Sequence, residues 1–578
     1  MEDEKVKGKL TIVLLALLST SIFAAGCQPA TPLNRVWWPR LGFPAFVKPG
    51  GSFTVELAGI EPQAMYLVNE THRLELKVEL KQREGWLVKA VAEVPAEAGE
   101  DLYNLSVLSS EGSFEEPHSV YVYKALRVPF TVFWITDTHY DVKPGAEYLR
   151  LIFRKWIRIA NFLKPDLVVI TGDIVNNPPE HLFKSVYRDL LELEVPVLLV
   201  PGNHDWSREG HFIRYLSVSN RSLTIEWIHI VALDTGPGGF HGWLTREQMD
   251  WLEEDLAAHS ECPVKLLLMH HPLYHIENRT GADLMRLASI AKRYNVSLIL
   301  TGHSHVNKDI MEPAHYLVGA SGFKGGKPYS GFYLLKLTPQ GVEYKINGTY
   351  KPIPHDKFEI KLLQENTGAK PAAAAYLRNG WWFPVKGYLK LRLKKAGGQL
   401  KVEGGKLTSQ VDAGSYVIAE VEVKLSPKEE KLVKAYYTQA QDKQPPKIAE
   451  VKYRMRESPS VAIATLLVKV EDDYLGVQSV NIAYTTDNRT WSTTEPAYIS
   501  PTAYQATVQV EKGPPRLTVK IEVKDLTGKT SEKTVSIPLP KLPEEAKPEE
   551  KTNLPLLAAA TAIAAAIALA AIYLLKRS

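Results

Sequence analysis

Three kinds of hydrophobic pattern follow one another along the chain. Over residues 28–126 apolar and polar positions alternate in short runs, at 52–57, 74–80, 86–94 and 119–123, separated by Gly, Pro, Glu and Asn. Alternation of period two at that spacing predicts short antiparallel strands and a small β-sandwich. From Val128 the pattern changes. Continuous apolar runs at 129–136, 167–171, 195–200, 227–233, 264–269 and 296–301 alternate with segments of helical period at 146–163, 181–193, 246–258 and 282–294. Runs that are apolar at every position predict strands buried on both faces, so residues 127–351 read as an α/β domain. Thr245, with Gln248 three positions on, predicts a capping box at the start of the third helix. After about residue 349 the short strands return. Residues 352–443 read as one β domain and Pro445-Pro446 as a linker. Residues 444–538 read as an immunoglobulin-like sandwich with hairpin turns at Thr486-Asp487-Asn488-Arg489 and Leu526-Thr527-Gly528-Lys529.

The two ends have patterns of their own. Residues 10–25 form an apolar run preceded by Lys5, Lys7 and Lys9 and followed by small residues, the layout of a secretory signal over residues 1–27. Cys27 is either the lipidated residue of a lipoprotein signal or a cysteine beside an ordinary cleavage site. Residues 554–575 carry no charge and end at Lys576 and Arg577. A helix of that length reaches roughly 33 Å, enough to cross a bilayer, and the basic residues that follow fit a cytoplasmic stub at 576–578. Residues 539–553, rich in Pro, Glu and Lys, predict a solvated stalk. The expected arrangement is a single-pass membrane protein with a C-terminal anchor and its folded domains on the extracellular face.

Composition narrows the function. The chain has 578 residues, 45% hydrophobic and 23% charged, which excludes wholesale disorder. Its 69 basic and 65 acidic residues give a net charge of only +4, so no basic surplus points to nucleic acid. Two cysteines exclude a disulfide framework or a thiolate-rich metal site.

The chemistry lies at the carboxyl ends of the α/β strands, where open sheets bind ligands. The first run ends in Asp137-Thr138-His139, the second in Gly172-Asp173 and the third in Gly202-Asn203-His204-Asp205. The fifth ends in His270-His271 and the sixth in Gly302-His303-Ser304-His305. A lone Gly-Asp is by itself a turn, and a lone His after a strand is more often structural. Five of six ends turning from apolar to metal-liganding, always at the same end, is not what packing alone produces. Carboxylates, imidazoles and one amide, without thiolate, suit manganese, iron, zinc or cobalt. They are too many for one ion and suit two that share a carboxylate.

This ordered set resembles the calcineurin-like metallophosphoesterase superfamily, which includes purple acid phosphatases, cyclic-nucleotide and glycerophosphodiester phosphodiesterases, and 5′-nucleotidases. Its pattern is Asp-x-His, Gly-Asp, Gly-Asn-His, His-x-Pro and Gly-His-x-His, and every element has a counterpart here, with His270-His271-Pro272 as the fourth. The resemblance covers about 225 residues and implies two packed sheets flanked by helices. It implies that Asp137, His139 and His305 hold one metal, that Asn203, His270 and His303 hold another, and that Asp173 bridges. It gives His204 the leaving oxygen, with Asp205 nearby as a second catalytic residue. The implied reaction is hydrolysis of phosphate mono- or diesters by a metal-bridging hydroxide, acting on nucleotides, sugar phosphates or phosphodiesters. Loops holding Arg208, His211, Arg214, His241, His275 and Arg279 are candidates for selecting the substrate. The competing expectation is a surface adhesion or scaffold protein carrying an idle copy of the domain.

Overall fold

The computed structural model describes residues 32–540, apart from 144–145, 278–282, 324–329 and 458–459. The expected signal, the membrane run, the stub and nearly all of the stalk lie outside the described residues. Among the described residues, no helix is long and apolar enough to cross a membrane.

The central domain is built on two sheets. In the first, Val197–Val200, Leu167–Thr171 and Phe130–Ile135 run parallel, and Tyr333–Thr338 and Gly341–Glu343 complete the far side. In the second, Ile228–Ala232, Val264–Leu268, Leu298–Thr301 and Tyr316–Val318 run parallel between the flanking strands Arg221–Ile225 and Lys308–Ile310. Successive side chains on a strand point to opposite faces, and both faces are used. Val132 and Trp134 pack against Leu266, Leu268 and Ile230 of the other sheet. Their neighbours Phe133 and Ile135 pack outward against Phe153 and Trp156 of the helix Glu147–Leu163. The second sheet does the same with Leu267 and Ile299, which meet Leu252 of Arg246–Ala258 and Leu287 of Asp283–Arg293. Burial on both faces is the physical reason these runs are apolar at every position. The capping box forms: Thr245 Oγ1 accepts from Gln248 N, and Gln248 Oε1 from Thr245 N.

β regions flank this domain and are not strung beside it as separate beads. Eight strands from Val36–Trp38 to Gly112–Val122 surround their own core. The long strand Arg73–Glu84 joins the two halves, pairing first with Pro62–Val68 and then with Leu87–Glu93. Residues 33–43 reach across to the central domain, where Leu199 N donates to Gly42 O and Gly42 N to Leu216 O. Arg40 and Glu116, both buried, form an ion pair at 3.0 Å. The same guanidinium caps Ile213 O at 2.9 Å and Arg214 O at 3.3 Å.

On the other side two sheets span Phe358–Leu362 to Glu430–Tyr437. Their Phe358, Trp381 and Val421 belong to the same apolar core as Phe153 and Trp156. Phe358 stacks on Trp381 at 4.4 Å, and Phe332 meets it edge-on at 5.6 Å. Of the neighbouring tryptophans, Trp381 is core while Trp382 lies under the Lys351 ammonium, 3.9 Å from its ring centre. The final two sheets, from Lys447–Glu457 to Thr530–Pro538, enclose a core of their own.

Candidate metal centre

The parallel strands bring their carboxyl ends to one cleft, and interlocked turns hold them there. Asp137 N donates to Gly172 O, His139 N to Asp173 O and Gly302 N to His270 O. Asp137, His139, Asp173, His303 and His305 all have left-handed backbone, with φ between 42° and 67°. That region costs non-glycine residues energy and gathers at functional sites. Two glycines explain themselves by close approach: a Cβ on Gly202 would lie 2.2 Å from Asp173 Oδ1, and one on Gly302 would lie 2.5 Å from Asp137 Oδ2.

The donor atoms fall into two sets. In one, His305 Nε2 is 3.1 Å from Asp137 Oδ1 and 3.0 Å from His139 Nε2, which is 3.7 Å from Asp173 Oδ2. In the other, Asp173 Oδ1 is 3.2 Å from His270 Nε2, and His303 Nδ1 is 3.0 Å from Asn203 Oδ1. The two oxygens of Asp173 thus face different sets. Ligands about 2.0–2.2 Å from a common ion stand roughly 3.0–3.5 Å apart, so these spacings suit metal coordination.

The electrostatics point the same way. His270 is buried and its Nδ1 donates to Thr171 O at 2.9 Å, which leaves Nε2 against carboxylate oxygen with no hydrogen-bond partner. Burial pulls its pKa down, but Asp173 and Asp137 outweigh this and lift it to about 9. Burial raises Asp173, and the surrounding imidazoles more than reverse it, holding the carboxyl well below its usual range. The cleft demands positive charge, which a divalent cation supplies.

His271 lies close to His270 and His303, yet both its nitrogens are committed, Nδ1 to Thr235 Oγ1 at 2.9 Å and Nε2 to Gly239 O at 3.0 Å. Burial lowers its pKa to about 2, which keeps the ring neutral. His204 stands beside the first set, its ring 4.9 Å from His139, with Nδ1 donating to Asn176 O at 2.8 Å and a side chain 40% exposed.

Asp205 is not in the cleft with it. Its carboxylate is fully buried and accepts from Ile174 N, Val175 N and Gly202 N at 3.1, 2.9 and 2.8 Å. It braces the two turns that carry Asp173 and Asn203, because a carboxylate adjoining three free backbone N–H groups is pulled toward them.

The family model for calcineurin-like phosphoesterases matches residues 130–307. A protein named as a probable glycerophosphodiester phosphodiesterase, GpdQ, from Arcobacter nitrofigilis is 33% identical over 192 residues, 30% of this chain and 70% of that protein. The chain belongs to the calcineurin-like phosphoesterase family. It is a hydrolase of phosphoester bonds. The 3′,5′-cyclic adenosine monophosphate phosphodiesterase CpdA of Escherichia coli K12 is 27% identical to the phosphoesterase over 195 residues, again 30% of this chain and 70% of that one. Among solved structures, a purple acid phosphatase from yellow lupin seeds aligns at 14% identity with a TM-score of 0.33, over 54% of this chain and 72% of that chain.

Of the loop residues expected to select substrate, His275 alone among those described lines a pocket of the cleft, with Phe240, Tyr274 and Lys308. His211 is turned away, its Nδ1 donating to Pro178 O, and Arg214 lies 4.0 Å from Glu180. Arg208 is exposed, His241 packs 5.0 Å from Phe240, and Arg279 is outside the described residues. Thr235, which orients His271, escaped the sequence reading. It follows the fourth apolar run, the one strand end without a ligand, and that position was its signal.

Proposed function

We propose that this phosphoesterase is a metal-dependent phosphodiesterase held at the cell surface. The observation that carries the reading is the buried Nε2 of His270, without a hydrogen-bond partner and 3.2 Å from Asp173 Oδ1 among converging donors. In this reading Asp137, His139 and His305 would hold one divalent cation and Asn203, His270 and His303 a second, with Asp173 available to both. When bound, the pair supplies positive charge that brings the pKa of water near neutrality and offsets charge on the phosphate. His204 orients through Nδ1 on Asn176 O and, when protonated, presents Nε2–H to the leaving oxygen. Asp205 keeps the turns of Asp173 and Asn203 in register.

Preference for diesters is supported by the similar proteins, named as a glycerophosphodiester phosphodiesterase and a cyclic adenosine monophosphate phosphodiesterase, which put glycerophosphodiesters and cyclic nucleotides first as substrate classes. The surface location is supported by the uncharged run at 554–575 and the basic residues after it. The test is turnover of p-nitrophenyl phosphate against bis-p-nitrophenyl phosphate by the full chain loaded with manganese or zinc. Dominance of the diester is expected. Dominance of the monoester would refute the diesterase reading, and silence on both with metal bound would refute the wider one. Protease added to intact cells should cleave the catalytic domain; full protection would remove the surface location.

A further inference from the structure

The two ends of the cleft differ chemically. His204 lies beside His139 at one end. At the other, Phe240 sits 5.3 Å from His303 and borders an open pocket of about 350 Å³, within the size range of small-ligand sites, about 300–1,000 Å³.

Three of the pocket's apolar side chains are unusually bare: Phe240 is 67% exposed, Tyr274 39% and Val306 36%. Exposed apolar surface gathered around a concavity marks a binding site. The walls are fixed relative to each other. Gly242 N donates to His275 O at 2.9 Å and Glu277 N to Gly242 O at 2.7 Å, tying the loop of Phe240 to that of Tyr274. Tyr274 is held in turn by its hydroxyl, which donates to Ser304 Oγ at 3.0 Å. The Lys308 ammonium stands 4.9 Å from the centre of the Tyr274 ring, and no carboxylate is among the residues lining the pocket.

We infer that this pocket receives a ring-bearing substituent that stays on phosphorus while the ester opposite is cleaved, and that Lys308 favours a negative charge on that ring. The inference rests on the phosphodiesterase reading and adds what the retained group must be. Aromatic side chains recognise planar groups by face and edge contacts, and a lysine at the pocket's edge recognises an anion. A monoester has no retained substituent and leaves the pocket unused.

The test keeps the leaving group constant. The metal-loaded full chain is assayed on methyl, phenyl and 4-carboxyphenyl p-nitrophenyl phosphate, reading p-nitrophenolate in each case. For the unaltered protein KM should be about tenfold lower for the phenyl than for the methyl ester, the size expected of one or two ring contacts. It should fall by a further factor of about three for the carboxyphenyl ester. Phe240→Ala combined with Tyr274→Ala should bring the methyl-to-phenyl ratio of KM towards one, and Lys308→Met should abolish the gain from the carboxylate. Equal KM for methyl and phenyl esters in the unaltered protein, or an unchanged ratio in the double variant, would overturn the ring site. No gain from the carboxylate would overturn the role of Lys308. Failure to cleave any of the three would instead overturn the phosphodiesterase reading beneath it.

Discussion

Replacing Gly202 by alanine tests the construction of the site with a single methyl group. The added Cβ would lie 2.2 Å from Asp173 Oδ1 and 2.3 Å from Asp173 N, where ordinary contact begins at 3.4 Å. About 1.2 Å of separation, 3.4 less 2.2, has to be found by moving one turn away from the other. Neither is free to yield. Gly202 N is bonded to Asp205 Oδ2 at 2.8 Å, and Asp173 Oδ1 accepts from His204 N at 3.0 Å. Metal–ligand distances tolerate only about 0.2 Å, so a shift of that size should remove Asp173 from at least one cation. We expect metal affinity to fall about a hundredfold and kcat by a similar factor. Far-ultraviolet circular dichroism should be unchanged, since the strands on either side keep their buried faces. The assay is metal content after dialysis against graded chelator, paired with turnover of bis-p-nitrophenyl phosphate. A Gly202→Ala protein that keeps two metal equivalents and turns over within threefold of the parent would refute the argument that the glycine exists to admit Asp173.

Three further outcomes follow from the structure. His204→Ala should retain bound metal yet lose turnover by about 10²–10⁴-fold, the usual worth of a positioned acid; an emptied site would show that His204 is a ligand instead. Arg40→Met leaves the buried Glu116 carboxylate without its charged partner, with only Leu41 N and Asn34 Nδ2 still donating to it, and should cost about 3 kcal/mol in urea unfolding. Adding Glu116→Gln should recover part of that loss, and additive effects would deny the coupling. Burial depresses His118 to about 4 despite Asp101 nearby, so the unfolded chain takes up the proton first. Its contribution is complete above about pH 6.5 and is lost as pH falls towards 4. From pH 7 to 5 the loss should be roughly 2 kcal/mol, and His118→Gln should flatten that part of the pH dependence of the urea midpoint.

Much of the centre was legible because liganding residues break the apolar pattern abruptly. Asp137, Asp173 and His270 each follow a run buried on both faces, and no packing argument accounts for a charge there. Asp205 was legible as part of the motif but not in its role. The family resemblance placed it beside His204 as a second catalytic residue, whereas its side chain turns away towards the N–H groups of Ile174 and Val175. The specificity pocket was the least visible part. Phe240, Tyr274 and Lys308 come from a loop, a helical turn and the start of a strand, separated by more than thirty residues at each step, and nothing local marks them as neighbours. The flanking β regions were readable as strands from their alternation. Their attachment was not, because nothing in the sequence near Arg40 or Glu116 marks them as a buried pair 76 residues apart.

The apolar core shared by Phe153, Trp156, Phe358, Trp381 and Val421 bears on how the catalytic domain can be handled as a unit. A cut near residue 351 would divide one hydrophobic interior, separating Phe162 and Phe332 on one fragment from Phe358 and Trp381 on the other. Catalytic domain and following β region are therefore one cooperative block. In a calorimeter they should melt together; residues 447–538 have an interior of their own, but Tyr474 and Leu475 are buried with Leu363, Ala372 and Ala374 of the block before them, so their transition should overlap with its own. Catalysis and its scaffold share a single stability, and this enzyme cannot be shortened to its motifs.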